Sequence, residues 1–300
     1  MTKKHIREQL ALWTDTTKVV NVASVPQRSP FRYPGGKTWL IPRIRQWLVS
    51  IPKPKYFIEP FAGGAIVGLT VAFEKYAEHV ILVERDEQVA SVWRTIIDDK
   101  SGAEWLANQI VQFQLTSESA KEFLSKKTRS IRQKAFQTIV QNRISHGGIL
   151  APGAGVLKHG ENGKGVLSRW YPETLKKRIL NIASVKDQIS FLQGDGIEII
   201  HKHKNDINSV FFIDPPYTAS TKKAGARLYK YHMLDHEKLF EEVSSVKGDF
   251  LMTYDDADEV RSLARNFRFE TRTIAMNNTH HATMNELLIG RDLRWLGTER

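Results

Sequence analysis

Apolar residues along this chain gather into short runs that are separated by amphipathic stretches. Six of these runs have the length and the content of Val, Ile, Leu and Phe that are typical of strands. These runs are residues 56–58, 79–83, 189–192, 210–213, 249–254 and 285–289. Helical periodicity lies between them, for example at 67–76 and 101–134. Strands that alternate with helices predict an α/β fold with a mostly parallel, twisted sheet and helices on both faces.

The most informative polar segment is Asp214-Pro215-Pro216-Tyr217, which directly follows the apolar run 210–213. A carboxylate and a prolyl carbonyl are acceptors only, so together they can take the two N–H bonds of an exocyclic amine and leave its lone pair free to react. The aromatic ring can stack on the base that carries the amine. A stiff turn after a strand is the alternative interpretation of this tetrapeptide.

A glycine turn at residues 59–65 joins the first predicted strand to the helix at 67–76. Small residues in such a turn let a cofactor lie against the backbone and the helix N-terminus. The turn lacks the full dinucleotide spacing and the Gly-Lys-Ser/Thr of a phosphate loop, so NAD and ATP are poorly supported. The second strand ends at Glu84, an acidic residue suited to ribose hydroxyls. Asp86 is the second choice, because a helix N-cap is its alternative role.

Two further turns have candidate roles. Gly35 and Gly36 lie in Phe31-Arg32-Tyr33-Pro34-Gly35-Gly36-Lys37 and permit positive φ and a close backbone approach to a ligand. Alone, this segment would be an ordinary turn. Asp195, after the strand at 189–192, could bind an adenine amino group or belong to a bare turn.

The α/β alternation is interrupted between residues 98 and 190. This stretch is mainly helical at first, and it then becomes glycine-rich with interspersed basic residues. We therefore predict three parts: an N-terminal arm at 1–28, a catalytic domain at 29–97 and 191–300, and an inserted domain at 98–190.

Composition narrows the function classes. The chain has 300 residues, of which 41% are hydrophobic, so it can bury a full core. No run approaches about 18 apolar residues and no signal-peptide core begins the chain, so we expect a soluble, cytoplasmic protein without membrane contact. It has no Cys, which excludes the nucleophile of cytosine-C5 methylation and cysteine-rich zinc modules.

The net charge of +11 is concentrated in two segments. Residues 98–190 hold 15 Lys and Arg against 8 Asp and Glu, and residues 218–231 hold four basic residues and no acid. A neutral body with two basic segments is typical of a protein that binds a phosphate backbone. A solvated helical face is the alternative for either segment.

Together these motifs resemble the Dam, or D12, class of DNA adenine methylases. The resemblance rests on Phe-x-Tyr-x-Gly-Gly-Lys at 31–37, Glu-Pro-Phe-Ala-Gly-Gly-Ala at 59–65, Gly194-Asp195 and the tetrapeptide at 214–217, in the α-type order with a target-recognition insertion between the cofactor half and the tetrapeptide. It covers about residues 31–290 and leaves the N-terminal arm outside. It implies a Rossmann-like methyltransferase fold and a site-specific enzyme that methylates adenine N6 in duplex DNA.

The resemblance also implies residue roles. The catalytic residues would be Asp214, Pro215, Pro216 and Tyr217. The residues binding S-adenosylmethionine would be Tyr33, Gly36, Lys37, Glu59, Phe61, Gly63, Gly64, Glu84, Asp86, Asp195 and Asp214, and no metal is needed. The family usually has Gly where this chain has Ala65, so the methyl group there is expected to shift the cofactor slightly.

Double-stranded DNA is the expected partner, because the adenine must leave the duplex to reach the site. We hypothesise that the DNA contacts are Arg143, Lys158, Arg169, Trp170, Lys222, Lys223 and Arg227. A restriction endonuclease that acts separately is an open second partner, and a monomer is favoured.

Three alternatives stay open at the level of sequence. N4-cytosine methylation uses the same geometry on the same kind of amine. An RNA base or a protein glutamine could be the acceptor, although the glutamine enzymes have Asn-Pro-Pro-Tyr. A non-catalytic DNA-binding protein could keep the fold, although the intact Lys37, Glu84, Asp195 and Asp214 argue against it.

Overall fold

The computed structural model of this protein describes residues 25–33, 35–158, 160, 163–216, 234–277 and 283–297. Several predictions concern residues outside these ranges: most of the arm at 1–28, and the side chains of Tyr217, Lys222, Lys223 and Arg227. Within the described residues, no helix has the length and the apolar content that crossing a membrane requires.

The centre of the fold is a seven-stranded sheet in the order β3-β2-β1-β4-β5-β7-β6. Its strands are β1 (Tyr56–Glu59), β2 (His79–Glu84), β3 (Ile189–Gln193), β4 (Ser209–Ile213), β5 (Asp249–Asp255), β6 (Glu270–Asn277) and β7 (Thr283–Gly290). The pairs β2–β3, β1–β2, β1–β4 and β4–β5 are parallel, whereas β7 runs antiparallel to both β5 and β6. The predicted α/β fold with a mostly parallel sheet is therefore confirmed.

Helices cover both faces of the sheet. In the described residues they are α1 (Ile41–Ser50), α2 (Ile66–Glu74), α3 (Glu87–Ile97), α4 (Gly102–Gln112), α5 (Ser117–Ser125), α6 (Ile131–Ile144), α7 (Pro172–Ala183), α8 (Gly196–His203), α9 (His236–Ser244) and α10 (Asp258–Asn266). The first seven contribute to one hydrophobic core and the last three to the other.

The two cores follow from the period of two along each strand. Phe57 and Phe212 point to the face of α1–α7, while their neighbours Ile58 and Phe211 point to the face of α8–α10. All five residues of β4 are buried, which is why the sequence there shows an uninterrupted apolar run instead of alternation.

Helices α4–α7 occupy the interval in which the alternation of the sequence breaks. They are not packed as a separate body, because Leu106, Ile139 and Ile179 share one hydrophobic core with Trp93 of α3. The helical content is as predicted, and the insertion extends one of the two cores.

The carboxyl ends of β1, β2, β4 and β5 meet at one edge of the sheet, as they must in a parallel arrangement. Strand β7 runs the other way, so its beginning reaches the same edge, and Glu286 lies opposite Asp255 of β5. Neither β6 nor helix α7 was predicted from the sequence. The order of the strands reverses between β1 and β4, the position at which open α/β sheets bind ligands.

Candidate active site

A cavity of about 1090 Å³ lies over the carboxyl edge of the sheet. Its lining includes residues from each of the four sequence motifs, among them Tyr33, Lys37, Phe61, Asp195 and Asp214. The insertion contributes further residues from α6, α7 and the loops between them. The fold therefore brings together four motifs that are up to about 180 residues apart in the sequence, in a volume large enough for a cofactor and a base.

The Asp214 carboxylate, at the end of β4, is held by two neighbours through the same oxygen. Lys37 Nζ lies 3.0 Å from Asp214 Oδ1, and the Thr253 hydroxyl donates to that oxygen at 2.8 Å. The same lysine nitrogen lies 3.1 Å from Glu286 Oε1 and donates to the carbonyl of Gly35 at 2.9 Å. The Lys37 side chain is only 3% exposed, so its ammonium group bridges two carboxylates away from bulk water.

Four carboxyl groups share this part of the site: Glu59, Asp214, Asp255 and Glu286, the carboxylate cluster. The pKa of Glu286 is raised to about 7, chiefly by burial; Lys37 opposes this rise, and the charges of Asp214 and Asp255 add to it. Burial is also the main cause that raises the pKa of Asp255, with Lys37 opposing it and Asp214 adding to it. The site thus holds more acidic groups than one lysine can neutralise.

Glu59, the last residue of β1, is turned towards helix α2. Its Oε2 atom accepts a hydrogen bond of 2.7 Å from the backbone N–H of Gly68. Burial raises the pKa of its carboxyl group well above the usual value, against the effect of the Gly68 hydrogen bond, and Asp214 raises it further. Glu59 thus links the glycine turn to α2 from inside the protein, and its predicted part in cofactor binding stays a prediction.

The glycine turn is shaped by Tyr33. A Cβ atom built on Gly63 would lie 2.5 Å from the Tyr33 ring, and one on Gly64 would lie 2.9 Å from Tyr33 Cβ. The small residues of this turn therefore leave room for the Tyr33 side chain. The sequence had predicted that they leave room for a cofactor. Ala65 adopts the left-handed conformation with φ 51°, which explains why glycine would be the more usual residue at this position.

Glu84, at the end of β2, accepts hydrogen bonds from two backbone amides, of Gly63 at 3.0 Å and of Asp86 at 2.7 Å. The pKa of the Glu84 carboxyl group is raised to about 7, chiefly by burial, although these two amides favour the ionised form. Asp86 has the alternative role named above, because its side chain caps α3 by accepting from the N–H of Gln88. Of the two acids, Glu84 is the better placed to meet ribose hydroxyls.

Asp195 also caps a helix. Its Oδ1 atom accepts from the backbone N–H of Ile197 at the start of α8, and its Oδ2 atom pairs with Arg85 at 3.2 Å. The side chain remains 30% exposed at the cavity, so contact with an adenine amino group stays a prediction. Phe61 packs closely beside it, since a Cβ atom on Gly196 would lie 2.9 Å from that ring.

Another part of the cavity wall is positively charged. Four arginines line it, and they are Arg32, Arg143, Arg169 and Arg178, the arginine wall. The pKa of Arg143 is lowered to about 9, chiefly by burial and then by the charges of the other three arginines. The cavity thus has a cationic wall near the insertion and an anionic floor at the edge of the sheet.

Two predicted DNA contacts need correction. The Arg143 guanidinium is buried and donates a hydrogen bond to the carbonyl of Pro30, so it ties α6 to the segment before the Gly-Gly-Lys turn. The ring of Trp170 is also buried and packs edge to face on Phe113, with 6.1 Å between the ring centroids. Both side chains are used in packing, and the structure does not support direct contact of either with DNA. Lys158 is exposed and Arg169 lines the cavity, which leaves their DNA roles as predictions.

Four charged residues of the cavity were not predicted from the sequence: Arg32, Arg85, Arg178 and Glu286. Glu286 comes from β7, whose beginning reaches the ligand edge only because that strand is antiparallel. A single acidic residue in the apolar run 285–289 was the signal that could have identified it.

The residues present fit a methyl donor of the S-adenosylmethionine type. Such a group needs an acceptor for ribose hydroxyls, an apolar wall beside its adenine and a passage to the reacting amine. Glu84 offers the acceptor and Phe61 a wall, and one continuous cavity connects them with Asp214.

The mostly parallel sheet, its strand order and a ligand cavity at the reversal between β1 and β4 define a Rossmann-like α/β fold with its binding site at the carboxyl edge of the sheet. The sequence profile of the D12 class N6 adenine-specific DNA methyltransferases matches residues 33–277. The chain therefore belongs to this family, which methylates adenine N6 in DNA and uses a methyl donor of the S-adenosylmethionine type.

More distant structural similarities exist as well. A candidate RNA methyltransferase from Pyrococcus horikoshii aligns over 96% of this chain and 97% of its own, with a TM-score of 0.39 and 9% identity. A precorrin-6y C5,15-methyltransferase from Geobacter metallireducens aligns over 82% and 84%, with a TM-score of 0.35 and 8% identity. Similarity at this level carries no argument about function. No curated protein sequence matches the chain.

Proposed function

We propose that this protein is a site-specific DNA methyltransferase that moves the methyl group of S-adenosylmethionine to N6 of an adenine flipped out of duplex DNA. The observation that carries the proposal is the carboxylate of Asp214 at the carboxyl end of β4, held by Lys37 and Thr253 at the floor of the cavity. A carboxylate fixed in this way can accept an N–H of the amine in a defined direction.

The residues after Asp214 would complete the amine site. The carbonyl of Pro215 would accept the second N–H, so that the nitrogen lone pair points at the methyl group. Pro216 lines the cavity, and we assign to Tyr217 the stacking of the extruded base. The sulfonium of the cofactor supplies the activated methyl group, so positioning by the protein is the main requirement.

For the cofactor, we assign the ribose hydroxyls to Glu84 and the adenine edge to Asp195. Phe61 would lie beside the adenine, and Tyr33 with Gly36, Gly63 and Gly64 would form the turn beneath the methionine end. Lys37 and the carboxylate cluster would lie nearest the reacting centre, where acidic groups favour a cationic sulfonium.

For DNA, we assign target recognition to the insertion at 98–190 and backbone contact to the exposed Lys158, the cavity-lining Arg169 and the basic segment with Lys222, Lys223 and Arg227. Extruding the adenine costs a few kcal/mol, which stacking and hydrogen bonds in the site would offset. The other three arginines of this wall, Arg32, Arg169 and Arg178, would face the DNA phosphates beside the extruded base. We expect the enzyme to act as a monomer, with any restriction endonuclease acting separately.

The test is transfer of a labelled methyl group from S-adenosylmethionine to unmethylated duplex DNA, followed by digestion to nucleosides. We expect label in N6-methyladenine. Asp214→Ala should abolish transfer and leave cofactor binding, measured by calorimetry, within about threefold, because the carboxylate acts on the amine. The matched control is Glu78→Ala, which removes an exposed carboxylate just before β2, outside the insertion and the cavity, and should leave transfer unchanged.

Normal turnover in Asp214→Ala would disprove the catalytic assignment. Label in N4-methylcytosine would keep the mechanism and overturn the substrate. No label on DNA, together with normal cofactor binding, would overturn the proposed activity.

A further inference from the structure

Glu286 is an acidic residue in an otherwise apolar, buried strand. Its residue exposure is 4%, and the next three residues of β7 are two buried leucines and a buried isoleucine. It lies beyond residues 33–277, so the family match does not extend to it. A carboxyl group in such a position lowers the stability of the folded protein, so a functional role is the expected reason for its presence.

The groups that face Glu286 belong to four segments of the chain. Lys37, at the start of a 3-10 helix, lies 3.1 Å away and is itself 3.0 Å from Asp214, which follows β4. Asp255 of β5 lies directly opposite Glu286 in the sheet, and Ile274 of β6 lies opposite on the other side. The ammonium of Lys37 is therefore the link between Asp214, at the reacting centre, and Glu286, which is farther inside.

We propose that Glu286 is the end of a proton path that starts at the adenine amine and runs through Asp214 and Lys37. This inference rests on the proposed function, since it assigns to Asp214 the contact with the amine. Glu286 touches neither substrate nor cofactor in this scheme, and it acts on the reaction only through Lys37.

Methyl transfer and the proton movements that follow it conserve atoms and charge. As the nitrogen lone pair forms the new N–C bond, the C–S bond breaks and its electron pair stays on sulfur. The amine nitrogen becomes positively charged, and its proton moves to the Asp214 carboxylate. Lys37 then gives one of its protons to Glu286 and takes the proton of Asp214. The result is neutral Glu286, an ionised Asp214 ready for the next amine, and N6-methyladenine without charge.

The position of Glu286 suits a group that holds a proton temporarily. Its pKa of about 7 lies close to neutral pH, so taking and returning a proton there costs little free energy. Lys37 is almost fully buried, which keeps water from replacing it as the link. When the product leaves and the cavity refills with water, the proton can return along the same path.

The decisive variant is Glu286→Gln. The Gln amide oxygen can still accept a hydrogen bond from Lys37, so the position of the lysine is kept, but Gln cannot take up a proton. We expect the single-turnover rate of methyl transfer to fall by about 10- to 100-fold at pH 7.5, and the KM values for cofactor and DNA to change by less than about threefold.

The pH profile separates a proton role from a structural one. In the wild-type protein the rate should fall as pH decreases through the pKa of Glu286, because the protonated form cannot accept. In Glu286→Gln this fall should disappear and leave a low, flat rate. Glu286→Asp should recover part of the rate and restore the fall at acid pH.

Glu78→Gln is the matched control, because it removes an exposed carboxyl group just before β2, at the edge of the sheet away from the cavity. It should keep the rate within about threefold. A readout that does not depend on turnover is the infrared band of a protonated carboxyl group in the cofactor-free protein. Because Glu84 also has a pKa of about 7, the part of this band that titrates near pH 7 should become smaller in Glu286→Gln by the contribution of one carboxyl group.

The proposal is overturned if Glu286→Gln keeps the wild-type rate, if it keeps the wild-type fall at acid pH, or if its only defect is weaker cofactor binding. These outcomes are distinct from failure of the proposed function. If the proposed function is wrong, the wild-type protein itself will place no label in N6-methyladenine, and Asp214→Ala will change nothing.

Discussion

Buried carboxyl groups are the dominant feature of the site at the scale of single residues. Burial is the first cause that raises the pKa values of Glu59, Glu84 and Glu286, and the opposing hydrogen bonds and the Lys37 charge offset it only in part. A protein that needs only a stable core would have apolar residues at such positions. The acidic groups beside the reacting centre therefore lower the stability of the folded protein.

This loss should be measurable as a dependence of stability on pH. The pKa of Glu286 is about 7 in the folded protein and 4.5 in the reference state. Protonated Glu286 therefore adds stability to the folded protein in full below about pH 4.5, and this stability is lost as pH rises through 7. We expect Glu286→Gln to raise the Tm by a few degrees at pH 8 and to leave it nearly unchanged at pH 5, by calorimetry. Asp187→Asn, at an exposed position, should change neither value. A lower Tm of Glu286→Gln at pH 8 would mean that the ion pair with Lys37 outweighs the cost of burial.

At the scale of elements, helix α6 of the insertion is joined to the segment before the Gly-Gly-Lys turn. The buried Asn142 side chain accepts from the backbone N–H of Arg32 at 2.9 Å and donates to the carbonyl of Arg32 at 2.8 Å and to that of Gly148 at 2.6 Å. Since the next residue, Tyr33, covers Gly63 and Gly64, the insertion and the glycine turn are connected through one short segment. The geometry of this short segment should therefore affect both the stability of the protein and its affinity for the cofactor.

Gly148→Ala tests this connection. Gly148 has φ +77°, and a Cβ atom there would lie 2.1 Å from the carbonyl oxygen of Arg32, so the loop must move away from the segment. We expect a lower Tm and at least about tenfold weaker cofactor binding, equivalent to about 1.4 kcal/mol, by thermal melting and calorimetry.

The control for Gly148→Ala is Gly153→Ala in the same loop. Gly153 has φ +84°, and a Cβ atom there would meet no other atom within 4 Å, so Ala brings only the cost of a left-handed conformation, about 1–2 kcal/mol. Equal effects of the two substitutions on cofactor binding would show that the close approach to Arg32 does not matter for the turn.

At the scale of the whole molecule, charge is separated across the cavity and along the chain. The arginine wall lies on the side of the insertion, and the carboxylate cluster lies on the side of the sheet. The basic segments at 98–190 and 218–231 account for the whole excess of +11. The positive charges would attract a polyanion to the protein, and the carboxylate cluster would favour the cationic cofactor.

Reversing the charge of Lys222 and Lys223 together to Glu should weaken DNA binding and reduce its salt dependence. Each lost phosphate contact lowers the slope of log affinity against log salt concentration by about one, which fluorescence anisotropy can measure across a salt series. The control is the same charge reversal at the exposed Lys53 and Lys55, which precede β1 at the opposite edge of the sheet. Unchanged affinity and slope in the first variant, or equal losses in both, would contradict the assignment of 218–231 to DNA.

The sequence by itself determined the local elements and their chemistry. The apolar runs at 56–58, 79–83 and 210–213 predicted strands, because a strand buried on both faces must be apolar throughout. The order of the motifs then placed Lys37, Glu84 and Asp214 at turns, and the fold and family followed. These inferences depend on neighbours along the chain, which a sequence records directly.

Only the tertiary structure decided which of these residues meet and which are used for packing. Glu286 reaches Lys37 because β7 is antiparallel, and the direction of a strand is set by its partners. Arg143 and Trp170 look like DNA contacts in a basic segment, yet helix packing buries them both. Asp86 and Asp195 serve as helix caps because their backbones turn there. Contacts between distant parts of the chain come from the packing of whole elements, and local periodicity carries no information about them.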